Sequence, residues 1–177
     1  MRFQGWCSRA HDPQWAVSPL SGEGAKVKGG RFNPIGTPAL YLGLTAEVAW
    51  AEASHGFGHR YEPLTLCAYE VDIDDVVDLR TDEDRRSSGI GLADLACAWE
   101  YDLSIGNDPA SWRVARQLIH AGAVGILVPS FVRDARPDMH NLVLWKWGAD
   151  LPHRVTVYDP SGRLPKNQLS WETAKLA

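Results

Sequence analysis

The sequence predicts an α+β fold, and three observations carry that reading. Short stretches alternate apolar and polar residues with period two, while others repeat apolar residues at helical spacing. The two kinds follow one another without the regular βαβ order of a doubly wound sheet. At 177 residues the chain is long enough to bury a core of its own, so residues 1–177 are expected to form a single domain.

Taken in order, residues 2–9 read as a short strand anchored by Phe3 and Trp6. From His11 to Gly30 the chain is rich in Pro, Ser, Gly and Lys, which is loop chemistry. Backbone N–H groups, Lys26 and Lys28 there would suit a phosphate, although the glycine spacing matches no nucleotide fingerprint; a plain surface loop explains the stretch equally well. Ala39 to Leu44 alternates as a strand, with Leu40, Leu42 and Leu44 toward the core. Tyr41 then stands between Ala39 and Gly43 on the other face, on a shelf open to a flat ring. Thr45 is a good N-cap for a helix running to about Ser54, and Glu47 in its first turn complements the helix dipole.

Thr65 to Ile73 is a strand with Cys67, Tyr69, Val71 and Ile73 inward and Glu70 and Asp72 outward. Residues 80–89 read as a charged surface loop. A second helix is expected over Ile90 to Leu103, with Leu92, Leu95, Ala96, Trp99 and Leu103 on one stripe. A third begins at Asp108-Pro109 and runs through Trp112, Ala115 and Ile119 to Gly122, its arginines and His120 on the solvated face. Val124 to Val128 is an apolar strand ending in Pro129-Ser130. Asn141 opens another over Leu142 to Trp147, and a last one is expected at Arg154 to Tyr158. Ser130 and Asn141 thus fall at strand ends, where side chains can enter a cleft; turn chemistry is the simpler use of each taken alone.

The bulk properties exclude several classes. A net charge of −4 with no basic stripe argues against nucleic acid as the partner. Cys7, Cys67 and Cys97 are widely spaced and odd in number, so they read as small buried hydrophobes in a reducing cytoplasm rather than as a disulfide or zinc framework. The N-terminus lacks the apolar segment of a signal peptide and no stretch reaches the length of a membrane span, so a soluble, cytoplasmic protein is expected. Eight tryptophans are many for this length, and core packing is their expected use. His55 and His59 have the i, i+4 spacing of a metal pair, but the glycines between them oppose a helix and no third ligand is evident, so no metal is expected.

Candidate chemistry concentrates between Gly29 and Ser54. A Gly-Gly turn, an isolated cation (Arg31), a strand tyrosine (Tyr41) and a helix glutamate (Glu52) suit an anionic, flat-ringed ligand. Glu47 and Glu52 are separated by about 140° around the helix. The dipole explains Glu47, whereas Glu52 lies on the more apolar side, where a carboxylate needs a partner or a function.

The stretch GGRFNPIGTPALYLGLTAEVAWAE resembles the opening motif of the RES-domain family, named for an arginine, a glutamate and a serine. Gly125 to Ser130 (GILVPS) followed by Asn141 to Trp145 (NLVLW) resembles its closing motif, and RAHDP and PLSGEGA resemble its N-terminal region. The likeness extends from about residue 5 to about 158. Phe32 departs from a common tryptophan but keeps an aromatic ring. The resemblance implies a small mixed or antiparallel β core with flanking helices, as in mono-ADP-ribosyltransferases. It also implies a toxin of a bacterial type II toxin–antitoxin pair that acts on NAD+, by hydrolysis, phosphorolysis or ADP-ribosyl transfer to a protein. An Xre-like helix-turn-helix antitoxin would block the site. The positions that match the family's motif residues are Arg31, Tyr41, Glu52 and Ser130.

Loss of nicotinamide from NAD+ passes through an oxocarbenium-like sugar. A fixed carboxylate stabilises that charge and can take a ribose hydroxyl, the role expected of Glu52. Arg31 offers a fork for pyrophosphate oxygens. Tyr41 would stack on nicotinamide, Ser130 would hydrogen-bond nicotinamide or ribose, and Asn141 would assist. Lys28 and His11, the latter from the N-terminal loop, are further candidate phosphate contacts. Glu47 sits five positions before Glu52, not the two usual in arginine-modifying transferases, which weakens that variety. A non-catalytic nucleotide-binding or interaction module, with Arg31 anchoring a phosphate, is the alternative.

Overall fold

A computed structural model describes residues 1–54 and 62–169. Its strands are β1 (Phe3–His11), β2 (Leu40–Gly43), β3 (Thr65–Ile73), β4 (Val76–Asp78), β5 (Gly125–Pro129), β6 (His140–Leu144) and β7 (His153–Val157). Its helices are α1 (Glu23–Lys28), α2 (Ala46–Ala53), α3 (Asp82–Ser87), α4 (Leu92–Leu95), α5 (Trp99–Ser104) and α6 (Ala110–His120). The strands make one seven-stranded sheet in the order β4-β5-β6-β2-β1-β3-β7. Only β4 and β5 run parallel among these pairs; the rest are antiparallel. This is the α+β class with a mixed sheet.

Both faces of the sheet are packed. One core gathers Leu40, Leu42, Tyr69, Val71 and Leu142, among others; the second lies on the opposite face and joins Ile126, Val128 and Val143 to Leu95, Val114 and Leu118 of the helices. Double coverage explains why β5 reads Gly-Ile-Leu-Val without alternation: Ile126 and Val128 serve one core and Leu127 the other. The amphipathic α6 buries Trp112, Val114, Ala115 and Leu118 and leaves Arg113, Arg116 and His120 exposed, as its spacing predicts. Helix α2 is capped by Thr45, whose Oγ1 accepts from the Val48 N–H at 3.2 Å. It lies so close on β2 that a Cβ at Gly43 would stand 2.5 Å from the Ala49 nitrogen, so only glycine fits there.

Several expectations are corrected. Strand β1 continues to His11 because its pairing with β3 runs unbroken from Phe3↔Ile73 to His11↔Thr65. The expected loop from His11 to Gly30 contains a 3-10 turn at Pro13–Trp15 and helix α1, which tertiary contact helps to hold: Asn33 Nδ2 donates to Ala25 O at 2.8 Å. The charged stretch 80–89 is largely helix α3, with a capping box in which Thr81 and Asp84 each bond the other's backbone N–H. Its Arg85 is buried and donates to Leu79 O and Arg80 O. The helix expected over 90–103 is broken into α4 and α5, and Leu92 is exposed. Helix α6 has Pro109 at its N-cap and begins at Ala110.

Asp72, expected to face solvent, is buried under Arg2, which grips it at 2.7 and 2.9 Å, with Arg154 at 3.5 Å. The short strand β4 was not expected. Asn141 lies inside β6 and not at its opening. Cys7 and Cys67 are buried as expected, and burial pushes the Cys7 thiol up to about 12. Cys97 is half-buried beside Ser111 Oγ, 3.3 Å away. Trp112 and Trp145 are core residues, but Trp6 and Trp15 are exposed, so packing accounts for only part of the tryptophan content.

Candidate active site

Strands β1, β2 and β6, helices α2 and α5, and the segments around Arg31 and Phe131 enclose a cleft of about 490 Å³, within the range of small-ligand sites. Its floor is the sheet face bearing Tyr41, Gly43, Asn141 and Val143, set in register by the pairs Tyr41↔Val143 and Gly43↔Asn141. Arg31 and Glu52 line the same cleft.

Arg31 and Phe32 form the tip of a turn closed between Gly30 and Asn33, N–H to O at 3.0 and 3.3 Å. The Tyr41 hydroxyl secures the turn by accepting from Phe32 N–H at 3.0 Å and donating to Asn33 Oδ1 at 2.7 Å. A Cβ at Gly30 would stand 2.6 Å from that hydroxyl, which accounts for the second glycine of the Gly-Gly turn. Tyr41 therefore does not lie on an open shelf. It lines the cleft while packed against the second core, and burial raises its pKa.

From the turn, Arg31 Nη1 donates to Leu95 O at 3.3 Å and Cys97 O at 2.7 Å, and its guanidinium lies 5.0 Å from the Phe131 ring centre. Leu95 ends α4 and Cys97 lies in the break before α5, so the backbone there offers Arg31 carbonyls that a continuous helix would have used. Burial lowers the Arg31 pKa, opposed in part by Cys97, Glu52 and Glu100, and a guanidinium stays charged throughout.

Glu52 occupies the last turn of α2, where the helix carbonyls repel a carboxylate. Two donors compensate. Ser130 Oγ donates to Glu52 Oε1 at 2.7 Å, and Asn141 Nδ2 donates to the same oxygen. Oε2 takes no hydrogen bond from the described residues. The structure thus brings Glu52, Ser130 and Asn141 together although 78 and 89 positions separate the pairs. Ser130 is buried beside the carboxylate and is not among the residues that line the cleft, so its hydroxyl is directed at Glu52. Glu47 faces elsewhere, in an exposed two-bond pair with Arg136 at 2.7 and 2.9 Å.

His11 lines the cleft from the end of β1 rather than from a loop. Its Nδ1 lies 3.0 Å from Thr65 O. Burial, with Arg9 nearby, lowers its pKa from 6.5 to about 4, so at neutral pH it brings no positive charge to a phosphate. Its folded pKa lies below its unfolded one, so its contribution to stability is complete above about pH 6.5 and is lost as pH falls toward 4. The melting temperature is expected to drop between pH 7 and pH 4.5, and His11→Gln to flatten that slope; equal slopes in the two proteins would remove His11 as the cause. Lys28 is exposed at the end of α1 and does not line the cleft, and Lys26 pairs with Glu23 at 3.2 Å.

The sequence reading missed Trp99, Phe131 and Arg133, which also line the cleft. Phe131 could have been found, since it directly follows Ser130. Trp99 could not, because its place on an expected helical stripe pointed to the core. His55 and His59 lie outside the described residues. Among the described residues no group of three or more His, Cys, Asp or Glu could hold a metal ion.

A family model described as the RES domain matches residues 7–167. The NAD(+) phosphorylase MbcT of Mycobacterium tuberculosis is 32% identical over 136 residues, covering 70% of this chain and 72% of that protein; MbcT of Mycobacterium bovis matches equally. The crystal structure of the M. tuberculosis MbcT-MbcA toxin-antitoxin complex superposes with a TM-score of 0.56 at 21% identity, covering 90% of this chain and 84% of the matched one, which establishes a shared fold.

Proposed function

This chain belongs to the RES domain family, and from that membership we propose that it is the NAD+-consuming toxin of a bacterial toxin–antitoxin pair. The observation that carries the reading is the Glu52 carboxylate, held by Ser130 and Asn141 in the cleft that Arg31 also lines. The name of the relative MbcT makes phosphate the first acceptor to consider.

In this reading Arg31 grips the pyrophosphate of NAD+. Its Nη1 holds the carbonyls of Leu95 and Cys97, and Nε and Nη2 are left for phosphate oxygens. Tyr41 lines the cleft beside nicotinamide while its hydroxyl keeps the Arg31 turn in place. Glu52 Oε2 takes a ribose hydroxyl and its charge faces the sugar as the C1′–N bond breaks. The bonding pair leaves with nicotinamide and neutralises its ring. An acceptor oxygen then bonds that same anomeric carbon, C1″ of the product, giving ADP-ribose 1″-phosphate if the acceptor is phosphate, or ADP-ribose if it is water, whose extra proton passes to solvent. Ser130 and Asn141 orient the carboxylate. Residues 1–177 act as a single RES-like domain in the cytoplasm, with an Xre-like helix-turn-helix antitoxin covering the cleft. Among the described residues no helix is long and apolar enough to cross a membrane.

Purified protein incubated with NAD+ with and without phosphate tests this directly. Phosphate-dependent release of nicotinamide with ADP-ribose 1″-phosphate as product is expected. Free ADP-ribose would assign water as acceptor, and label retained on protein would assign transfer. NAD+ binding without turnover would sink the enzyme reading in favour of a binding module.

A further inference from the structure

Arg31 is the tip of its turn, and the carbonyls on either side of it are each taken by a tryptophan. Trp112 Nε1, from α6, donates to Gly30 O at 2.7 Å, and Trp145 Nε1, from just after β6, donates to Phe32 O at 2.8 Å. Both indoles are buried, at 7% exposure. Trp112 also packs on the turn itself, since a Cβ at Gly29 would stand 2.9 Å from its ring. A buried indole needs some acceptor for its N–H, but nothing in that requirement makes two of them, from separate elements, choose carbonyls flanking the same residue.

We infer that Trp112 and Trp145 are positioning residues that clamp the peptide carrying Arg31, so that its guanidinium meets the ligand phosphate already in place. The inference rests on the reading of Arg31 as the phosphate-gripping residue of an NAD+ site. Arginine has a long side chain, and a loose backbone beneath it would add to the freedom lost on binding. The two N–H groups fix the backbone at Gly30 and at Phe32, while the Tyr41 hydroxyl holds Phe32 N–H and Asn33. Cation–π contact with Phe131 and the carbonyls of Leu95 and Cys97 then orient the fork. The chain thus supports its cation in two layers, backbone and head group.

Trp112→Phe and Trp145→Phe each keep an aromatic ring and remove the donor. Each is expected to raise KM for NAD+ about fivefold or more while kcat stays within about twofold, since the grip on phosphate is uniform between ground and transition states. The rise should vanish when the same change is made in Arg31→Lys, where the fork is already gone. A KM unchanged in both variants, or a rise equally large in the Arg31→Lys background, would overturn the clamp. A merely structural role would lower the melting temperature without that coupling.

A second readout does not need turnover. The ¹⁵N heteronuclear NOE of the Arg31 Nε–Hε group should fall in both variants, and an unchanged value would equally overturn the inference. If the unmutated protein leaves NAD+ intact, the proposed activity fails and this NMR measurement alone decides the clamp. If neither variant folds, the same NOE in the unmutated, ligand-free protein decides: a value as high as that of core backbone amides shows the guanidinium already in place and supports the clamp, and a value typical of a free arginine side chain overturns it.

Discussion

Glu52→Gln is expected to lower NAD+ turnover by about 10²-fold or more while leaving NAD+ affinity within about fivefold of the unmutated protein. Glutamine preserves the length of the side chain and a carbonyl oxygen for Ser130 and Asn141, which now bond Oε1. What it removes is the negative charge facing the sugar as nicotinamide departs. The affinity of the ground state depends little on that charge; the barrier depends on it heavily. Single-turnover rates paired with calorimetric binding separate the two. A turnover within about threefold of the unmutated protein would mean that Glu52 is a structural carboxylate. Glu52→Ala should cost fold stability as well, because it leaves the buried Ser130 hydroxyl and Asn141 amide without their acceptor.

Arg31→Lys is expected to weaken NAD+ binding by about ten- to hundredfold, the range that loss of one or two charge-assisted hydrogen bonds spans. Charge alone is conserved in that change, so the size of the effect measures the fork. Two consequences are folded into it. An ammonium cannot hold Leu95 O and Cys97 O while also offering paired donors to a phosphate, and it loses the planar contact over Phe131. Binding of NAD+ measured at two ionic strengths checks the assignment. Unchanged affinity would take Arg31 out of the ligand site.

Much of this site was legible residue by residue and little of it pair by pair. Arg31 stood out as an isolated cation after a Gly-Gly turn, and it lines the cleft. Glu52 was found because a carboxylate on the more apolar side of a helix calls for a partner. Ser130 and Asn141 were legible as strand-end residues, and Ser130 also as a match to the family's serine, but their pairing with Glu52 was not. The helix α3 was legible and overlooked: the Thr81-to-Asp84 capping box is written in the sequence, but the run of charges around it reads as loop. The break between α4 and α5 was not legible, because the partner of its carbonyls, Arg31, lies more than 60 positions away. Tryptophan was read as core filler, and for Trp112 and Trp145 that is half of the answer; their ring nitrogens act on the turn of Arg31.

The sequence by itself determined the α+β class, the apolar faces of β2, β3 and α6, the capped start of α2 and the residue types available for chemistry. These follow from local periodicity and from what a backbone tolerates, both of which act over a few residues. Only the tertiary structure decided that β1, β2 and β6 lie side by side, so that Asn141 stands across from Gly43 and within reach of Glu52. It also decided that Tyr41 is a strut for the Arg31 turn and that His11 is neutral at the cleft. Strand order, burial and hydrogen-bond pairing come from how the chain packs at long range, and a charge or a hydroxyl takes its role from the neighbours that packing gives it.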